Sequence, residues 1–198
     1  MPIPAAIIGA LGALARGRNL AYVDTFDTNP SGKYSTRSGS PTYTWDSTNK
    51  WLTISNGTTQ GFVAYDAFGG FTGKVAFEMD VKFVADSAAR KHWGFFLDSG
   101  ASGVNGYRAA TIDGAGWNLG RWVGSSETSL GTFTLTFNPV IGTTYTLRIE
   151  RDASGVFSFY VDGVKAANTV TNTQYATIRP GFFVYGSTIQ INELRIYT

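Results

Sequence analysis

The chain has 198 residues, enough for one domain with a real core and too few for two large ones. It holds 24 Gly, 14 Phe, 10 Tyr and 5 Trp, no cysteine and one histidine, His92, which excludes disulfides, thiolate metal sites and any two-imidazole site. A formal charge of +2, with 15% charged residues, is too weak for electrostatic binding of nucleic acid. No run of 18 apolar residues is present to span a membrane.

The first twenty residues stand apart in composition. Pro4 suits a first helical turn, and Ile7, Leu11 and Leu14 form an apolar stripe at i, i+4 and i+7. Ala5, Gly9 and Ala13 line a second, small-residue stripe, and Arg16 and Arg18 suit the carboxyl end of a helix. A helix of about a dozen residues is only ~18 Å long and marginal alone in water, so it is expected to dock as an assembly anchor over residues 1–20. Ala13-Leu14-Ala15 resembles a signal-peptidase site, but the arginines follow the apolar stretch instead of preceding it.

From residue 21 to 198 short alternating runs recur between turn clusters, which predicts an all-β domain. Phe77, Met79, Val81 and Phe83 alternate with Glu78, Asp80 and Lys82. Tyr145, Leu147 and Ile149 alternate with Thr146, Arg148 and Glu150. Phe157, Phe159 and Val161 lead to Asp162-Gly163, a hairpin-turn pair. In the last run, Ile189, Ile191, Leu194 and Ile196 slip phase around Asn192-Glu193, which predicts a bulge. About a dozen strands at this spacing imply a two-sheet antiparallel jelly-roll sandwich preceded by the short helix.

Several segments carry a family likeness: Val23–Asp27, Tyr43–Trp45 with Trp51–Ile54, Thr144–Glu150 with Phe157–Gly163, and Pro180–Gly186 with Asn192–Ile196. Together they resemble the concanavalin A-like lectin/glucanase superfamily, above all its laminin-G-like members, with the last pair similar to that family's final hairpin. The resemblance spans residues 21–198 and is a pattern of strands, so it implies fold more than activity. Hydrolases of the superfamily carry a Glu-x-Asp motif followed by a second glutamate on one strand. Here Glu78-Met79-Asp80 leads only to Lys82 and Phe83, so Glu78 and Asp80 are expected on a solvent-facing polar edge, and no catalytic residue is assigned. No Gly-x-Ser-x-Gly elbow or phosphate loop is present.

A glycan site needs an aromatic platform beside planar donors and acceptors. Trp93, Tyr107, Arg108, Trp117, Asn118, Arg121 and Trp122 supply those groups between glycine-rich turns, and the resemblance places such a site on the middle strands. Trp117 and Trp122 are five residues apart and so face opposite ways on a regular strand, which puts one of them in the core. The resemblance also implies a possible Ca2+ site at Asp24, Asp27 and Glu193, although calcium needs six to eight oxygens.

An apolar amino-terminal helix, no cysteine, one display-type β domain and low charge predict a non-enzymatic virion structural or adhesion protein. It would be a capsid decoration, spike or fibre-associated subunit of a phage, homo-oligomeric, and held by other virion proteins through residues 1–20. Cell-surface glycans would be its ligands through the lectin-like domain. The alternatives are a secreted bacterial carbohydrate-binding module and a degenerate glycoside hydrolase.

Overall fold

The structure, a computed structural model, describes residues 19–57, 59–86, 92–111 and 116–198. The expected anchor helix with Ile7, Leu11 and Leu14 lies outside the described residues.

Among the described residues the strands run β1 (Leu20–Asp24), β2 (Tyr34–Ser38), β3 (Thr42–Asp46), β4 (Trp51–Asn56), β5 (Gly61–Tyr65) and β6 (Phe71–Thr72). Next come β7 (Val75–Asp86), β8 (His92–Asp98), β9 (Asn105–Thr111), β10 (Trp117–Val123), β11 (Ser126–Phe133) and β12 (Thr144–Arg151). The chain closes with β13 (Val156–Val161), β14 (Val164–Lys165), β15 (Val170–Thr171), β16 (Thr177–Ile178), β17 (Gly181–Tyr185) and β18 (Ser187–Tyr197). One 3-10 turn, Ser31–Lys33, is the helical element described.

Nine strands form one antiparallel sheet, ordered β14-β13-β12-β7-β18-β4-β3, with β1 also on β18 and β15 also on β13. Seven form the other, ordered β11-β10-β9-β8-β17-β5-β2, and β6 pairs with β16 in a short ribbon. The nine-stranded sheet follows the sequence alternation. Phe77, Met79, Val81 and Phe83 face inward, packed with Leu147, Ile149, Phe157, Phe159, Ile189, Ile191, Leu194 and Ile196. Each such side chain stabilises the sandwich by roughly 1.5–3 kcal/mol.

Local turn chemistry sets the hairpins. Asp162 and Gly163 have φ of 50° and 80°, the type I′ signature that matches strand twist, and they join β13 to β14. Pairing of β18 with β7 shifts register between Ile191 and Glu193, where the bulge is expected. Before that bulge β18 pairs with β4, and after it with β1.

One expectation needs correction. β17 and β18 do not form a closing hairpin: β17 joins β8 and β5 in one sheet, and β18 joins β7 and β4 in the other. Both Gly181–Tyr185 and Ser187–Tyr197 carry core residues, and crossing between sheets lets each bury them against the opposite layer. Strand β1 begins at Leu20, and Asn19 exchanges backbone hydrogen bonds with Thr198.

Candidate functional site

The middle strands of the seven-stranded sheet are buried on both faces. All seven residues of β8 and all five of β5 are buried, so alternate side chains must find cover outside the sandwich core. They form a second cluster of Phe62, Phe96, Val104, Ala110, Trp122 and Phe183. The Phe62 ring lies 4.8 Å from Trp122, 5.1 Å from Phe96 and 4.9 Å from Phe183. Arg108 crosses this floor with its guanidinium 5.1 Å from the Phe183 ring, and Nη2 reaches Glu127 Oε1 at 2.7 Å. Burial pulls the Arg108 pKa down, and the Glu127 carboxylate opposes that pull. Asn118 is pinned by its Nδ2 donating to Ser129 Oγ and to the Gly131 carbonyl.

Across three neighbouring strands one row of this face reads Trp122, Gly106, Asp98. The outer two strands of the three are about 10 Å apart, and the middle position carries no side chain. Asp98 is fully buried and binds both Arg37 Nη2 at 3.1 Å and Arg179 Nη2 at 2.9 Å. The same two arginines hold Asp66 at 2.6 and 3.1 Å, and Ser35 Oγ donates to Asp66 as well. Within this arrangement Trp122 Nε1, Asp98 Oδ1 and Arg108 Nε are buried and have no hydrogen-bond partner. An indole donor and a carboxylate acceptor thus lie on either side of a glycine, on the same face as the aromatic cluster and beside charged groups. Such an arrangement suits recognition of hydroxyl-bearing rings.

The seven residues expected to contact glycan divide by strand parity. Trp93, Tyr107 and Trp117 are 0% exposed and project between the sheets. Trp93 meets Trp117 edge-on at 5.5 Å, Trp117 packs 4.4 Å from Phe159, and Tyr107 lies 4.9 Å from Phe157. These three fill the core and offer no surface to a ligand. Arg108, Asn118 and Trp122 share the outward face, so Trp117 and Trp122 do point opposite ways. Arg121 pairs with Tyr107 on the inward side at the end of β10, where its Nη2 lies 3.4 Å from Thr128 Oγ1. Asp98, Arg37, Arg179 and Glu127 were not anticipated. The available signal was the unbroken apolar character of Gly61–Tyr65, Trp93–Leu97 and Gly181–Tyr185, which marks a sheet buried on both faces.

The expected calcium ligands do not fit a cage. Asp24 lies opposite Leu194 on the inward face, paired with Lys33 Nζ at 2.9 Å and accepting from Tyr65 OH at 3.1 Å. Glu193 lies opposite Asp80 on the outward face and pairs with Arg195 at 2.8 Å. Asp27 is exposed and accepts from Thr25 Oγ1. Among the described residues no three of His, Asp or Glu are grouped to hold a metal.

Glu78 and Asp80 occupy the middle of the nine-stranded sheet, not an edge, and both accept from Arg195 at 2.7 Å. Tyr197 OH also donates to Glu78, and burial with that carboxylate pushes the Tyr197 pKa up to about 12. His92 is buried and packs edge-on to Tyr185, a structural position.

The fold is that of carbohydrate-binding modules and lectin domains. The carbohydrate-binding module CBM66 from Bacillus subtilis superposes with a TM-score of 0.63 at 13% identity, covering 81% of this chain and 92% of that one. The Emp47p carbohydrate recognition domain gives 0.59 at 12% identity, covering 93% and 98%. The CBM2 module of the evolved Dit of Lactobacillus casei BL23 phage J-1 gives 0.54 at 14% identity, covering 91% and 95%. No family model and no curated protein matches the sequence. Among the described residues no helix is long and apolar enough to cross a membrane.

Proposed function

We propose that this chain is a non-catalytic, lectin-like protein that binds glycans on the outward face of its seven-stranded sheet and is displayed on a virion. The row Trp122–Gly106–Asp98 carries the reading: it sets a buried, unpaired donor and a buried, unpaired acceptor on either side of a glycine, with Arg108 and Asn118 alongside. The fold shared with CBM66 and the Emp47p domain supports carbohydrate as the ligand class. Likeness to the phage Dit module supports the virion setting, with residues 1–20 as the contact to other virion proteins and to further copies of the chain. Absence of catalysis is favoured because Glu78 and Asp80 are both engaged by Arg195.

A glycan array with the full chain tests this reading. Wild type is expected to retain at least one glycan. Trp122→Phe keeps the ring and removes the N–H, and it should weaken that glycan about tenfold, equivalent to ~1.4 kcal/mol. No binding at all, or full binding by a folded Trp122→Phe, refutes the site. Immunogold labelling of the native particle tests display. The likeness to CBM66 favours a second reading, a secreted bacterial module, which predicts the protein in culture supernatant instead.

A further inference from the structure

A cavity of about 230 Å³ lies at one end of the sandwich, lined by residues other than those of the Trp122 row. Three turns build it, and Gly73, Arg151, Asp152, Ala153, Asn172 and Tyr175 are among its walls. Arg151 is 4% exposed, and no carboxylate among the described residues pairs with it. Its Nε donates to the Gly73 carbonyl, Nη1 to that of Tyr175 and Nη2 to that of Phe71, at 3.0–3.1 Å. Three of its five N–H groups are thereby used, which fixes the guanidinium plane and leaves one N–H on each Nη.

Asp152 is shaped in the complementary way. Its Oδ1 accepts from Ser154 N, Ser154 Oγ and Val156 N, so the turn itself holds the carboxylate and leaves Oδ2 as an acceptor. Asn172 is oriented by Tyr107 OH and Gln174 N, both donating to its Oδ1, which leaves its amide NH2 as a donor. A fixed cation, a fixed anion and an oriented amide balance in charge while offering donors and acceptors together. That combination suits vicinal hydroxyls better than an ion. The volume lies below the ~300–1,000 Å³ of pockets for drug-sized ligands, so it suits one ring and not a chain.

We propose that this cavity binds one neutral saccharide ring, as a second subsite distinct from the Trp122 row; the assignment rests on the glycan-binding function proposed above. Tyr175 joins the two places. Its carbonyl holds Arg151, its N–H donates to Tyr107 OH, and its own hydroxyl donates to the Trp122 carbonyl.

The test is amide chemical-shift mapping on the full chain, titrated with the methyl glycosides of glucose, galactose and mannose and with methyl glucuronide as an acidic counterpart. At least one neutral glycoside is expected to shift Ala153, Asn172 and Ala176. Ala153→Trp, at an exposed wall position, should fill the mouth and abolish those shifts with the fold intact, while Trp122→Phe leaves them in place. Arg151→Lys, which keeps the charge but loses the planar fork, should weaken binding at least tenfold if it folds. Shifts that survive Ala153→Trp, no shift at these positions with any neutral glycoside, or tighter binding of the glucuronide would overturn the assignment. Glycan binding lost through Trp122→Phe alone, with no shifts at the cavity, would refute this subsite and leave the outward-face function standing.

Discussion

Replacing Glu127 by Gln leaves Arg108 in place but removes its countercharge. The pair is 2.7 Å apart, with the arginine side chain 6% exposed and the glutamate 25% exposed. Coulomb attraction at about 4 Å ranges from ~1 kcal/mol in water to ~4 kcal/mol at a surface-like dielectric of about 20. Partial exposure of Glu127 puts the net loss near the lower end, about 1.5 kcal/mol, because solvent takes up part of the released charge. A domain of this size loses roughly 2–4 °C of Tm per kcal/mol, so E127Q should melt about 3–6 °C below wild type. Arg108→Met should also destabilise, by stranding the Glu127 carboxylate and losing the contact with Phe183. The double variant should be less destabilised than the sum of the two, because an apolar side chain over Phe62, Phe96 and Phe183 needs no countercharge. Urea unfolding of all four proteins, with a common m-value, reads out the cycle. A loss below about 0.5 kcal/mol for E127Q, or strict additivity in the double variant, would show that the pair does not hold this face together.

Alanine at Gly106 would place a Cβ 2.1 Å from the Leu97 carbonyl oxygen at a φ of 156°, so G106A should cost about 3 kcal/mol in urea; a loss under about 1 kcal/mol would show that β8 and β9 yield easily. Hydrogen bonds from Val156, with those from Ser154, hold the Asp152 carboxyl below its ordinary value. Its stabilisation is therefore present above about pH 4 and lost as pH falls through the folded value, and Asp152→Asn should flatten the acid limb of Tm against pH. Tyr197 acts at the other extreme. Its pKa, raised to about 12, contributes stability that is complete below about pH 10 and lost as pH rises through 12, so Tyr197→Phe should flatten the alkaline limb. Chelation should leave Tm unchanged, because Asp24 is paired with Lys33 and Glu193 lies on the opposite face; a fall in Tm on adding a chelator would show that a metal is held despite that geometry.

Short-range pattern was enough for the class of fold. Alternation from Phe77 to Phe83 and from Tyr145 to Ile149, the Asp162-Gly163 turn and the slip at Asn192-Glu193 each depend on a few adjacent residues, and each appears in the structure as the sequence implies. The same parity separates Trp117 from Trp122. Period-2 alternation says that two residues face opposite ways but not which of them faces the core; that depends on which strands become neighbours. Pairing of β10 with β9 and β8 therefore sent Trp93, Tyr107 and Trp117 inward and left Arg108, Asn118 and Trp122 outward.

Low charge and abundant aromatics described the whole chain but could not place the few charges it has. Asp98 meets Arg37 and Arg179, and Arg195 meets Glu78, only because distant strands are brought side by side. Sequence alone determined an all-β sandwich rich in turns, since hydrophobic period and turn residues act locally. Tertiary structure decided which aromatics line the core and which face outward, where Asp98 finds its arginines, and that Arg151 closes a cavity between three turns. Those outcomes depend on long-range pairing, to which no short window of residues has access.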